Sequence, residues 1–516
     1  MTRTARFHHS LTALAAGLLL AGTAQGARST PPVLVPPPAW MPGWSGHAEF
    51  VVQHGARAAL VRLGMRDGLL HAFDARSGEE VLAYRPRALL KRSAAPCPYP
   101  EAADVSLESG RWRTVLLCGL PAPATGTLAS VFVLDITNAA AQPPLEALWE
   151  ANASDALPLA PSGPVRALAL STLEGPSWYA MVMLASAHGR KTRPGEPQRD
   201  PPWRPAGIAM LPLGKPAQAP WQGPHAILRL HLPASGCRNG EPSLALLAAS
   251  ILPDAAGVAL AAYAVDTAGG LWRFDLRGAP PWHDGDRRVR CIHRAENPVP
   301  LPAPSASAGA IVPPVLISAS GGHLVVYGHG ERITAVFDST ALSSTGNTDG
   351  SAARIAAQPH GGGVVLRRQP HKRATQGGAA STAGWHLPLP NPGERLDRFL
   401  PADPGYLGFV TRTPDARQRA YLIHALSGES TTSAQAGGPL AHVATGLGAS
   451  AIAAVVLQRT ALPPERSAQP GTTSREAVAL TLWSLEEGSA VPLNRTIASR
   501  RTGRLSWREL IRTGPP

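Results

Sequence analysis

Along most of the chain the apolar positions fall in short runs broken by Gly, Pro, Asp and Asn, with almost no recurrence at helical spacing. Short runs bounded by turn formers predict β-strands. Residues 64–86, GMRDGLLHAFDARSGEEVLAYRP, show the unit: strand, a turn at Asp67–Gly68, strand, a turn between Asp74 and Gly78, strand. The unit recurs. DGLLHAFDARSGE at 67–79 is echoed by GGLWRFDLRG at 269–278 and AYLIHALSGE at 420–429, with a looser copy in SVFVLDIT at 130–137. In each a strand ends on a polar residue and a turn follows. Asp74 and Asp275 suit that position because a short carboxylate accepts hydrogen bonds from backbone N–H groups in the turn. Gly68, Gly78 and Gly269 supply turn conformations closed to other residues. Phe73 and Phe274 are expected to face a core between sheets.

Small antiparallel sheets repeated over 46–516 predict an all-β fold, a quinoprotein-like β-propeller of seven irregular blades. A pair of β-sandwich domains would explain the strands but not the recurrence of one turn motif. Several stretches read as insertions: polar, Pro-rich residues near 188–207, a low-complexity linker at 298–309, and simple sequence at 339–354 and 367–384 that reads as mobile loops within 339–384.

Composition sharpens the picture in three places. The 516 residues include 51 Gly and 53 Pro with only 16% charged, a turn-rich chain whose 44% apolar content still builds a core. The net charge of +13 suggests nucleic acid or membrane. Yet only Lys91, Lys191, Lys215 and Lys372 are lysine among the basic residues, and the arginines are scattered. A solvated basic surface is the reading, with no nucleic-acid partner. At the N-terminus, Arg3 and Arg6 precede the apolar run 11–24 and a small-residue site after Gly26, the pattern of a secretory signal peptide over 1–26. Residues 27–45 are Pro-rich and expected to be extended. No later run has the length of a membrane helix. An exported protein with four cysteines has the makings of two disulfides, and three connectivities are open. Cys97 with Cys118 and Cys237 with Cys291 are the nearest-neighbour pairings.

Candidate chemistry is sparse. There is no HExxH, P-loop or CxxC. HGGG at 360–363 resembles an esterase oxyanion loop but lacks a Ser-elbow partner, so it reads as a Gly-rich turn. His71 sits in a strand pattern and reads as packed. Asp284 and Asp286 in HDGDRR share one turn and read as solvated. AFDARSGEEVL at 72–82 resembles the A-x-D-x-x-x-G-x-x-x-W repeat of quinoprotein dehydrogenases, with Leu82 in place of the Trp. That repeat is structural, and no calcium-and-carboxylate quinone site assembles with it.

Separated stretches, in order, resemble one family: the C-terminal β-propeller of the PilC/PilY type IV pilus biogenesis proteins, which sit at the pilus tip. They are RDGLLHAFDARSGEEVLAYRPRALL (66–90), WRTVLLCGL with VFVLDIT and ALWE (112–150), YAVDTAGGLWRFDL (263–276), GGHLVVYGHGERI (321–333) and GWHLPLPNPGER (384–395), with a closing GRLSWREL (503–510). The resemblance implies a non-enzymatic, exported protein of the periplasm, outer-membrane surface or pilus tip. It would act as an interaction scaffold or adhesin, with minor pilins or other pilus components as partners and a host or abiotic surface as a further one. Larger members carry an N-terminal region before the propeller, whose roles do not carry over. The family also implies a calcium loop before the YAGD-like strand. Its acidic positions fall on Leu252, Asp254, Ala256 and Leu260, and only Asp254 and Gly257 match. Calcium takes six to eight oxygens, so this remnant is expected to be metal-free, with Leu252 and Leu260 filling part of the vacated space, and no cofactor is expected. The alternatives are a periplasmic quinoprotein-like oxidoreductase, or a degenerate propeller scaffold unrelated to pili.

Overall fold

The structure is a computed structural model. It describes residues 49–51, 60–64, 69–74, 80–90, 97, 99–108, 111–122, 129–137, 146–154, 156–161, 163–188, 203–237, 245–282, 285–294, 312–319, 322–339, 352–360, 363–369, 384–400, 405–415, 417–431, 454–462, 475–486 and 489–501. The predicted signal peptide, the Pro-rich segment 27–45 and the linker 298–309 lie outside them.

The described residues form seven sheets of three to six strands and one two-stranded ribbon. Sheet 1 holds Glu49–Val51, Leu60–Gly64, Leu70–Asp74 and Glu80–Tyr84. Sheet 2 holds Glu101–Glu108, Arg111–Leu120, Ser130–Asp135 and Glu146–Asn152. Sheet 3 holds Arg166–Thr172, Gly175–Leu184, Gly207–Pro212 and Leu228–His231. Sheet 4 holds Leu246–Pro253, Ala259–Asp266, Gly270–Asp275 and Val289–Arg294. In these four sheets each strand pairs with the next in sequence, so every blade is an up-and-down meander.

Sheet 5 runs Val315–Ala319, Gly322–His329, Arg332–Ser339 and then Gly384–Pro388. Between its third and fourth strands the chain leaves to build the hairpin Ala353–His360 and Gly363–Arg368, which joins the sheet by parallel pairing of Ala353 and Arg354 with Trp385 and His386. The insertion read over 339–384 therefore holds a two-stranded hairpin between the stretches 339–354 and 367–384 that read as mobile loops, which fall largely outside the described residues. Its apolar positions, Ile355, Val365 and Leu366, are buried. Sheet 6 holds Arg395–Leu400, Tyr406–Arg412 and Gln418–His424, and sheet 7 holds Ala454–Ala461, Arg475–Glu486 and Ser489–Arg501.

Successive sheets pack face to face. Leu70 of sheet 1 meets Cys118 and Phe132 of sheet 2. Val115 and Leu117 on the other face of sheet 2 meet Val182 and Leu211 of sheet 3. Met181 and Met210, again on the opposite face, meet Trp272 and Phe274 of sheet 4. The series continues through Tyr263 against Tyr327, Trp385 against Phe409, and Leu422 against Leu480. An inner strand thus buries both faces, which is why YAMVML is apolar at every position instead of alternating. Two sandwiches would each leave outer faces solvated. The arrangement is a β-propeller, and each sheet is a blade.

Candidate functional site

The residues singled out in the sequence have structural work in the described parts of the fold. Asp275 ends the third strand of blade 4, where its carboxylate accepts from the backbone N–H of Arg277 at 3.2 Å and from the Arg277 Nε at 2.8 Å. Phe274 is fully buried between blades 3 and 4. Gly269 takes a left-handed φ of 79° in the preceding turn. Asp74 ends the strand Leu70–Asp74, which also holds His71 and Phe73, while Asp67, Gly68, Gly78 and Asp284 lie outside the described residues. Asp286 falls in the single helical turn Gly285–Arg288. His360 pairs with Gly363 at the end of the blade 5 hairpin, and the two glycines between them lie outside the described residues.

More important groups were missed. Asp266 is fully buried at the second turn of blade 4. One oxygen accepts from the N–H groups of Ala268 at 2.9 Å and Gly270 at 2.7 Å, and the other accepts from Trp272 Nε1 at 2.6 Å. The signal was local: DTAGGLW places an aspartate six positions before a tryptophan across a hairpin turn.

A second carboxylate, Asp338 of blade 5, faces a rung of blade 4. Tyr263, Arg273 and Arg290 are register partners on three adjacent strands. All three donate to Asp338, at 2.7, 2.9 and 3.0 Å. Ser250, the next partner on the rung, donates to the Pro314 carbonyl at 2.5 Å. Burial, then the Asp338 charge, holds the Tyr263 phenol far above its usual range. A third, Glu394 of the GER motif, is fully buried. It accepts from Thr411 at 2.5 Å, Tyr421 at 2.8 Å and Asn391 Nδ2 at 2.6 Å, so it ties the entry of blade 6 to that blade's second and third strands. Tyr84 donates to Glu150 in the same manner between blades 1 and 2.

The family-like stretch 384–395 serves the same purpose. Trp385 of blade 5 donates to the Ala425 carbonyl of blade 6 at 2.7 Å. Gly428 lies under its indole at φ 74°, where a Cβ would come within 2.7 Å of the ring. Gly393 donates to Glu331 at 2.6 Å. These motifs join one blade to the next.

Two disulfides join Cys97 to Cys118 and Cys237 to Cys291, with Cα separations of 5.2 and 5.3 Å. The second links the exit of blade 3 to the outer strand of blade 4.

The loop aligned with the family's calcium site is a tight hairpin turn. Asp254 Oδ1 accepts from the backbone N–H groups of Ala256 at 2.8 Å and Val258 at 2.9 Å, and Gly257 takes φ 84°. Leu252 packs between blades 4 and 5. One carboxylate already engaged by the backbone does not fit a cation that takes six to eight oxygens. Among the described residues no group of three or more His, Cys, Asp and Glu side chains clusters, and no helix is long and apolar enough to cross a membrane.

Two histidines give the fold a pH dependence. His329 is buried against the Thr267 carbonyl of the neighbouring blade, and burial depresses its pKa against the opposing pull of Thr267 and Asp266. His424 is depressed by burial, partly offset by Glu429. Below the unfolded value of about 6.5 the unfolded chain binds more protons than the folded one, so stability drops as the pH drops. The denaturant midpoint is expected to hold steady above about pH 7 and to decline as the medium is acidified through about 6.5. The decline should be shallower in His329→Gln. A midpoint that rises on acidification would contradict this assignment.

No protein-family model matches the chain. A type IV pilus biogenesis factor PilY1 homolog of Xylella fastidiosa is 32% identical over 127 residues, 22% of this chain and 10% of that protein. The match therefore spans about a tenth of that relative's length. The crystal structure of the Pseudomonas aeruginosa PilY1 C-terminal domain superposes with a TM-score of 0.53 at 20% identity, covering 85% of this chain and 93% of that one. The quinohemoprotein alcohol dehydrogenase of Comamonas testosteroni gives a TM-score of 0.38 at 14% identity. The resemblance to the PilC/PilY C-terminal propeller, drawn from the motifs, stands in both sequence and fold.

Proposed function

We propose that this chain is an exported, non-enzymatic propeller that works with a type IV pilus, holding minor pilins or other pilus components through its loops and outer strand edges. The observation that supports this reading most is a conjunction. The family-like stretches run in order along the chain, and the fold they build superposes on nearly the whole of a PilY1 C-terminal domain. The polar clusters at the blade interfaces serve this role by fixing the scaffold on which outward loops are presented. Attachment to a host or abiotic surface is a further task of the same loops.

The decisive experiment is capture of the protein, as it is found outside the cytoplasm, from surface-sheared fractions, with co-purifying subunits identified by mass. Pilin-like subunits are expected. Their absence, together with a quinone-dependent alcohol oxidation that follows the protein, would favour the oxidoreductase alternative instead.

We also propose that the Asp254 turn does not respond to calcium. Titration with calcium is expected to move the thermal midpoint no more than an equal ionic strength of sodium chloride does. A saturable stabilisation that Asp254→Ala abolishes would show that the turn holds the ion after all.

A further inference from the structure

We infer that the overhanging outer face of blade 5 is a binding surface for an acidic polysaccharide, held by a row of arginines that runs from Arg332 through Arg354 to Arg367. The inference does not rest on the pilus reading. It begins with strand number: the sheet of blade 5 has six strands and that of blade 4 has four. Blade 4 covers the inner part of the sheet that faces it, where Leu271 and Ile292 meet Tyr327 and Val336. The excursion of blade 5 continues outward past that cover. Its side toward blade 6 is apolar and buried, with Ile355, Leu366, Trp385 and Leu387 packed there. Strand alternation turns the residues between them to the other side.

Register aligns that other side. His386 lies between Thr334 and Arg354, Arg332 pairs with Pro388, and Arg367 pairs with Ala356. Four neighbouring strands therefore carry Arg332, His386, Arg354 and Arg367 in a row about 14 Å long at the usual strand spacing. Arg354 and Arg367 are exposed. Among the described residues none of the three arginines is ion-paired, whereas the carboxylates that neighbour them along the chain or the sheet are engaged. Asp338 accepts from Tyr263, Arg273 and Arg290. Glu331 accepts from the Gly393 N–H, and Glu429 from the Arg368 N–H. Gln358 and Gln369 are exposed on the same side and add neutral donors and acceptors beside the charges.

A polysaccharide that repeats a carboxylate along its length matches these features. Guanidinium forks take carboxylates in bidentate fashion, and charges set one strand apart suit a polymer whose own charges recur. The amides suit its hydroxyls. Other anionic polymers fit less well. An acidic peptide that adds a strand needs free backbone groups at the sheet edge. That edge, Gly363–Arg368, is already engaged, since Leu366 exchanges hydrogen bonds with Ser430 and the Arg368 N–H goes to Glu429. Single-stranded nucleic acid uses aromatic faces for stacking, and the row offers no Trp, Tyr or Phe.

The test is binding of the full chain to immobilised polygalacturonate and hyaluronate, with dextran as the neutral comparison and polyglutamate and oligothymidylate as rivals. Saturable binding to at least one uronate polymer is expected, tighter than to the other three and weaker as sodium chloride is raised. Arg354→Glu together with Arg367→Glu should weaken it by about tenfold or more. The denaturant midpoint should not move, because both side chains are exposed. Arg354→Lys with Arg367→Lys keeps the charge but loses the fork, and should fall between the two. Arg287→Glu with Arg417→Glu reverses as much charge at exposed positions on other blades and should change binding by no more than about twofold. Equal losses from the two glutamate pairs, tighter binding of polyglutamate or oligothymidylate, or no saturable binding to either uronate polymer would each overturn the proposal.

Discussion

Glu394→Ala is expected to cost about 3–5 kcal/mol of stability. The carboxylate is fully buried and accepts hydrogens from Asn391, Thr411 and Tyr421. Alanine takes the carboxylate acceptor from the fully buried Thr411 and Tyr421 hydroxyls, and the penalty is their desolvation more than the lost bonds themselves, while the partly exposed Asn391 amide turns to water. Burial, the largest cause of the raised Tyr421 pKa, persists in the variant and keeps the phenol a neutral donor. Unfolding entropy of about 2.1 cal/mol/K per residue means that a chain this long loses only about 1 °C of midpoint per kcal/mol. Denaturant midpoints are therefore the better measurement. Glu394→Gln keeps the shape and one acceptor oxygen and should recover part of the loss. Equal stability of wild type and Glu394→Ala would show that the cluster contributes nothing.

Removal of the Cys237–Cys291 bridge by serine at both positions is expected to cost about 4 kcal/mol, against about 3 kcal/mol for Cys97–Cys118, because the bridges close loops of 54 and 21 residues and the entropy withheld from the unfolded chain grows with loop length. The longer bridge also has Cys237 within the core shared by blades 3 and 4, so its loss loosens two blades at once. Denaturant midpoints with and without reductant measure both effects. Midpoints insensitive to reductant, or a larger loss from the shorter bridge, would contradict the loop-entropy account.

Much of the fold was legible because it is written locally. The strand-turn-strand unit at 64–86 and its echoes gave the sheet-by-sheet organisation, and Asp275 performs the turn-closing role that its position suggests. Asp266 is equally local, but its bonds close the turn before the strand and reach Trp272 beyond it, whereas the recurring unit marks the polar residue at the strand's end. Asp338 was not legible at all. Its partners Tyr263, Arg273 and Arg290 lie 75, 65 and 48 residues away, and nothing near Asp338 distinguishes it from a surface aspartate. The hairpin at 353–368 was hidden by the simple sequence on both sides. Its strand pattern is short, and its burial comes from contact with blade 6, which no window around it contains. The edge-on pair of Trp112 and Trp178 was illegible for the same reason, since the two rings belong to different blades.

The excursion within blade 5 has a consequence for how the chain is assembled. Leu366 in the hairpin exchanges hydrogen bonds with Ser430, which follows the last strand of blade 6. Arg368 is capped by Glu429 in the same way. The fourth strand of blade 5 precedes those partners by some forty positions, yet the insertion beside it has no finished setting until they arrive. During synthesis the fifth module therefore waits with an open flank for its successor. The two then close together as one cooperative block.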